Sequence, residues 1–202
     1  MVQHKLFLKA LLLWYVLFWV WMSFSPVDGQ NWILASILPC LLVAVLAALH
    51  RWLPLSHASY ALITLFLTLH MIGAHYTYAQ VPLGQWLEGT FEMSRNPFDR
   101  IVHFCFGLLL TYPLLEVFVR LANAGVALAS YLAFMTPVGL SGLWEVIESW
   151  VARVVSPELG DAYLGSQGDM WDAQKDMAAA LIGSLLCLLA VAWVRSRRQG
   201  PV

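Results

Sequence analysis

Carboxylates recur at helical spacing along this chain, with imidazoles among them. Asp99 and His103 stand four residues apart, Glu145 and Glu148 three apart, and Asp169, Asp172 and Asp176 follow at intervals of three and four. Residues three or four apart share one face of a helix, so each set would present its groups in one direction. Asp99 could orient the His103 imidazole or share a ligand with it. A neutral imidazole is both a common metal ligand and a base that titrates near neutral pH. Glu145 and Glu148 would resist joint ionisation, and so would share a proton, bind a cation or pair with a basic group. The run His75-Tyr76-Thr77-Tyr78 adds an imidazole and two phenols.

Together these groups could coordinate a hard or borderline divalent cation, which would neutralise the acids and act as a Lewis acid. They could equally move protons without a metal. The candidate general bases are His103 and Glu148. The candidate metal ligands are Asp99, Asp172, Asp176, Glu145 and His75, and the candidate substrate contacts are Tyr76, Tyr78, Arg100 and Asp169. Plainer roles stand beside these. Asp169 and Asp172 suit the positive end of a helix dipole, Asp99 could cap a helix while His103 packs, and the tyrosines could belong to an interfacial aromatic belt. Asp176 has no such role, because it falls deepest in its segment. His70, on a different helical face from His75, is read as packing. A phosphate-cradling glycine loop, a Gly-x-Ser-x-Gly turn, a His-Glu-x-x-His pair and a Cys-x-x-Cys pair are all absent.

The elements that must position these groups are membrane spans. Of 202 residues, 60% are hydrophobic and only 11% charged, with a mean hydropathy of +0.71. A soluble domain carries about 25% charged residues, so the solvent of most of this chain is lipid. Crossing about 30 Å of hydrocarbon takes about 20 apolar residues. The stretches Leu6–Phe24, Trp32–Leu49, Ala58–Tyr76, Ile101–Val119, Val126–Trp150 and Trp171–Val194 meet that need. The expected fold is an all-α six-span transmembrane bundle, with residues 1–202 forming one integral membrane domain. The first stretch reads as an uncleaved anchor, since it ends in tryptophans without a small-residue cleavage site. Cys40, Cys105 and Cys187 sit singly in apolar runs, so no disulfide framework is expected. Pro137, Gly139, Ser141 and Gly142 precede Glu145, where small residues suit close helix packing.

Six spans divide the charges unequally. Lys5, Lys9, Arg51, Arg120, Arg195, Arg197 and Arg198 fall on one side, against Arg95, Arg100, Arg153 and Lys175 on the other. The excess places both termini in the cytoplasm. Of the twelve carboxylates only Glu116 joins that side, so the acidic face would be periplasmic in a bacterium. Two connections on that face are long, Thr77–Phe98 and Ala152–Gly168. Their prolines and glycines (Pro82, Gly84, Gly89 and Pro97; Pro157, Gly160, Gly165 and Gly168) suit interfacial loops, a lid or solvated connectors. The net charge of −1 offers no basic nucleic-acid surface. Membrane lipids are the expected surroundings.

Four blocks carry a resemblance: Gly73-Ala-His-Tyr-Thr-Tyr78, Asn96-Pro-Phe-Asp-Arg-Ile-Val-His-Phe104, Trp144-Glu-Val-Ile-Glu148 and Gly168-Asp-Met-Trp-Asp-Ala-Gln-Lys-Asp-Met177. In combination they resemble the YjdF family of bacterial inner-membrane proteins, which implies an inner-membrane location and brings no established activity. More distantly, the order Asp99, His103, Phe104, Glu145 or Glu148, and Asp176 before Gly183 resembles VanZ-like membrane proteins. Ala180 stands where that pattern often has a small polar Asn. The expected function is an envelope-facing site that binds a divalent cation or acts on a lipid-linked or phosphate-bearing substrate. The alternative is non-enzymatic: a proton-coupled transporter, or an accessory protein whose polar residues hold the bundle together. The lack of internal repeats counts against transport.

Overall fold

A computed structural model describes residues 2–121, 123–164 and 166–199. Ala122 and Gly165, which fall in two of the expected connections, lie outside them. The described chain forms α1 (Val2–Met22), α2 (Gly29–Leu49), α3 (His57–His75), α4 (Pro82–Thr90), α5 (Phe98–Leu121), α6 (Val126–Val154), α7 (Pro157–Leu164) and α8 (Asp172–Gln199). Six of these, all but α4 and α7, are long and apolar enough to cross a membrane, in the order the hydropathy pattern predicts. Leu13, Trp21, Leu41 and Leu189 are among the exposed apolar side chains, as expected where the surroundings are hydrocarbon.

Local chemistry sets the helix starts. Asp28 is extended and its carboxylate accepts from the N–H groups of Gln30 and Asn31 at 2.8 and 3.0 Å, capping α2. The Ser56 side chain caps α3 in the same way. The Asn96 side-chain oxygen accepts from Phe98 N–H at 3.0 Å, so α5 begins before the predicted Ile101 and takes Asp99 and Arg100 into its first turn. At α8 the difference runs the other way. The helix begins at Asp172, and Asp169 precedes it, its carboxylate accepting from Trp171 N–H at 3.0 Å. Asp169 therefore closes a turn ahead of the helix and is not a third member of one helical face.

The two long connections are more ordered than a loop reading implies, since they contain α4 and α7. Pro82 stands at the start of α4, where its missing N–H costs nothing. Thr77 and Tyr78 adopt left-handed backbone (φ 55° and 56°), which turns the chain back on α3. Tyr78 N–H then bonds Gly73 O at 2.7 Å, and the Tyr78 ring covers Gly73 where any Cβ would collide with it. The buried Asn96 side chain donates to the carbonyls of Ala79 and Val81 at 3.0 and 3.1 Å and lies against Gly84 of α4.

Helix α5 lies at the centre, packed on α8, α6 and α3, while α1 and α2 pack on α3. Its tightest partner is α8. A Cβ at Gly107 would meet the Ala180 carbonyl, and one at Gly183 would meet the Phe104 carbonyl. Thr111, Ala180 and Ser184 seal the seam with no exposed surface. Small residues let helix backbones approach closely where lipid provides no hydrophobic drive for association. The expected packing role at Gly139 is not met, since a Cβ there would touch nothing; a Cβ at Gly142 would meet Met177 Sδ at 3.1 Å. Gly107→Ala and Gly183→Ala should each cost about 1–3 kcal/mol by overpacking, while Gly139→Ala leaves the thermal unfolding midpoint in detergent unchanged. Equal midpoints for all three variants would refute the crossing.

Candidate functional site

Three spans and two connections meet at the end of the bundle where α5 and α8 begin. From the first turns of α5 come Asp99 and His103, from α6 Ser141, Glu145 and Glu148, and from α8 Asp172 and Asp176. The connection before α5 adds Arg95, and the one before α8 adds Asp169. Asp172 and Asp176 are both buried, Asp176 at 2% exposure. One carboxylate oxygen from each of Asp99, Asp172 and Asp176 lies within 4.8 Å of the others.

Two arginines compensate part of this charge. Buried Arg95 bonds the Asp172 carboxylate and stands 3.9 Å from Asp99. Arg100 bonds Asp169 and lies 3.5 Å from Asp172. Lys175 reaches back toward the turn before α8, and its Nζ donates to Asp169 at 2.6 Å. Lys175, the Trp171 N–H and Arg100 together hold the Asp169 carboxyl down to about 2. That stabilisation is complete above the ordinary carboxylate pKa and lost only as pH falls through about 2. Burial lowers the Arg95 guanidinium, with Arg100 adding to the effect and Asp99 opposing it. Even so, carboxylates outnumber the permanent cations here. Glu145 Oε1 and Asp176 Oδ1 are buried without a hydrogen-bond partner.

The His103 ring sits between these acids and Ser141. Its Nδ1 is 3.0 Å from Ser141 Oγ, and its Nε2 is 3.4 Å from Glu145 Oε1 and 3.7 Å from Asp99 Oδ1. With the proton on Nδ1 donated to Ser141, Nε2 keeps its lone pair toward the carboxylates. With the proton on Nε2, the ring bridges them to the serine hydroxyl. Ser141 thus fixes the orientation of the ring in either tautomer.

A second imidazole closes the site from α3. His70 Nε2 lies 2.9 Å from Ala35 O, which can only accept, so Nδ1 accepts from the Tyr78 hydroxyl at 2.7 Å. Burial raises the Tyr78 phenol well above its ordinary range, with Asp99, Glu148 and Tyr163 contributing. The Tyr163 phenol rises to about 12, through burial and the neighbouring Glu148. Both remain protonated. Beneath these groups lies a cavity of about 230 Å³ between α2, α3, α5 and α6, with His70, Tyr78, Asp99, His103 and Ser141 among its lining residues.

The structure therefore gathers Asp99, His103, Glu145, Asp172 and Asp176 closely, with Glu148 beside Tyr163 and Tyr78 on the cavity wall. Arg100 and Asp169 are there and pair with each other, with Lys175 also on Asp169 and Asp172 near Arg100. Two predicted residues sit elsewhere. His75 Nδ1 is 2.9 Å from Met22 O at the end of α1, and Tyr76 packs on His75 and the Val81–Phe98–Val102 cluster. Three contributors escape the sequence reading. Arg95 lies four residues before Asp99, and Ser141 four before Glu145, spacings that already suggest a shared face. His70 lines the cavity in addition to packing.

Arg95→Met retains an apolar stem but leaves Asp172 with only the 3.5 Å contact to Arg100, and should destabilise by about 3 kcal/mol, the low end for breaking a buried pair. Asp172→Asn in the same chain should recover part of that loss. A double-mutant cycle of thermal unfolding in detergent checks the coupling, and strict additivity would show that the pair does not interact.

The chain is 33% identical over 180 residues to the inner membrane protein YjdF of Escherichia coli (strain K12), covering 89% of this chain and 86% of that relative. No solved structure matches. Residues 7–197 match the family model described as predicted membrane protein DUF2238, and the chain belongs to that family of membrane proteins.

Proposed function

We propose that the carboxylate–imidazole cluster binds a divalent cation at the envelope face of the membrane and acts on a phosphate-bearing or lipid-linked substrate. The observation that carries this reading is the convergence of Asp99, Asp172 and Asp176, with one Asp176 oxygen buried and unpartnered. The donor set fits: ligands of a calcium-sized ion lie about 2.3–2.6 Å from it, so opposite ligands stand roughly 5 Å apart. Oxygen donors favour a hard cation. Such an ion would supply Lewis acidity toward a phosphoryl or carbonyl oxygen. The chain's own groups do the rest. His103, oriented by Ser141, offers Nε2 as the base for a water or hydroxyl proton, with Glu148 as the other candidate base. Arg100 and Asp169 stand beside the cluster, and Tyr78 lines the cavity beneath it. Similarity to an inner membrane protein and the basic residues gathered at the opposite end support an orientation with both termini in the cytoplasm.

A second reading treats the same groups as a structural polar network, or as a proton path in a transporter. The pairing of Arg95 with Asp172, and of Arg100 and Lys175 with Asp169, favours the structural form.

Elemental analysis of detergent-purified protein separates them. Wild type should carry about one divalent ion per chain under ligand saturation, and Asp176→Asn should lose it while retaining its elution profile. Wild type that takes up no ion even after divalent cations are supplied would leave the structural network standing. For orientation, a cysteine at exposed Glu92 should react with a membrane-impermeant maleimide in intact cells, and one at Arg197 should not. The reverse pattern would invert the topology.

A further inference from the structure

The cavity beneath the cluster has the chemistry of a chain-binding site, and its polarity is graded along its length. On α5 its wall runs from Asp99 and His103 through Phe106 to Leu110. At 1.5 Å per residue that is a depth of roughly 16 Å. Half of a hydrocarbon core about 30 Å thick is roughly 15 Å, so the cavity reaches about as deep as one leaflet. The facing helices follow the same gradient. On α3, His70 lies at the polar level, and Phe66 and Leu67 lie one turn deeper, Phe66 with its ring 5.2 Å from that of Phe106. On α2, Ala35 bonds His70 and the lining residues Leu38, Pro39 and Leu42 continue inward.

We infer that this cavity holds a single hydrocarbon chain of a lipid substrate, with the lipid's phosphate-bearing end at the Asp99–His103 level. The inference rests on the cation-site reading above for its head group, and on the cavity alone for its chain. A void of about 230 Å³ exceeds the roughly 150 Å³ apolar cavity that accepts benzene. It is smaller than the roughly 300–1,000 Å³ of sites that enclose a drug-sized ligand. One chain segment fits these bounds, and a pair of chains does not. The occupant follows from the solvent as well as from the shape. An apolar cavity one leaflet deep among membrane spans meets hydrocarbon chains, and its polar residues are confined to the end where a head group would lie.

The test uses the full chain in nanodiscs with a single-chain glycerol phosphate lipid bearing a mid-chain diazirine. After irradiation, mass spectrometry should find label concentrated on Phe66, Leu67, Phe106 and Leu110. Leu67→Trp, and separately Leu42→Trp from a different helix, should reduce that labelling at least five-fold with elution profile and unfolding midpoint retained. Because one filled variant could misfold, the two are scored independently. A hydrocarbon probe with the same chain and no polar end should label these positions at least five-fold less. Label spread over lipid-facing residues such as Leu41 and Leu189, or equal labelling by both probes, would overturn the inference. Metal content measured on the same wild-type preparation keeps the two ideas apart. A stoichiometric ion without cavity label removes the chain assignment alone, and cavity label without an ion removes the cation site alone.

Discussion

The close approach of α5 and α8 is the constraint on which the rest of the molecule depends. Helices in lipid gain nothing by hiding apolar surface from one another, so association rests on packing and on polar contacts. Gly107 and Gly183 remove the side chains that would separate the two backbones, and each lies against a carbonyl of the opposite helix. Once that contact forms, the first turns of both helices are held together. Asp99 and His103 then face Asp172 and Asp176 with little freedom left. The polar cluster is a consequence of the apolar seam below it.

That consequence is costly, because buried carboxylates lose their water. The opposite end of the bundle shows a complete solution to the same problem. Glu116 accepts from Ser56 N–H, from the Ser56 hydroxyl at 2.9 Å and from the Ser59 hydroxyl at 2.5 Å, and pairs with Arg120 at 2.6 Å. Every feature there suits a structural lock between α3 and α5. The α5–α8 cluster is compensated only in part. Arg95 and Arg100 answer Asp172 and Asp169, while Glu145 faces only His103 Nε2 at 3.4 Å and one Asp176 oxygen has no hydrogen-bond partner. An incompletely satisfied buried acid is the difference between a lock and a candidate site, since half-satisfied polar networks are unfavourable without a further ligand or proton.

Position joins the two halves of the functional reading. His103 touches the acids on one edge and Ser141 on the other, and the same ring borders the apolar cavity. A lipid whose chain entered from the bilayer would bring its polar end to the only imidazole that also faces Asp99 and Glu145 among the described residues. The ordered connections matter for the same reason. By covering Gly73, the Tyr78 ring brings its hydroxyl to His70. The α4 segment is pinned through Asn96, the residue next to Arg95.

Hydropathy and helical spacing determined much of this directly. A run of apolar residues long enough to cross lipid must be helical, because no other single segment satisfies its own backbone there. The six spans, their order and the shared faces of Asp99 with His103 and of Asp172 with Asp176 were therefore legible from composition and period alone. What spacing cannot specify is which helix stands beside which. His75 looks like a ligand in the sequence, yet the α1–α3 contact gives it to Met22. Lys175 looks remote, yet the turn before α8 brings Asp169 within its reach. Arg95, Ser141 and His70 acquire their roles only where separate helices meet. The cavity has no sequence signature at all, because it is the space that four helices leave between them.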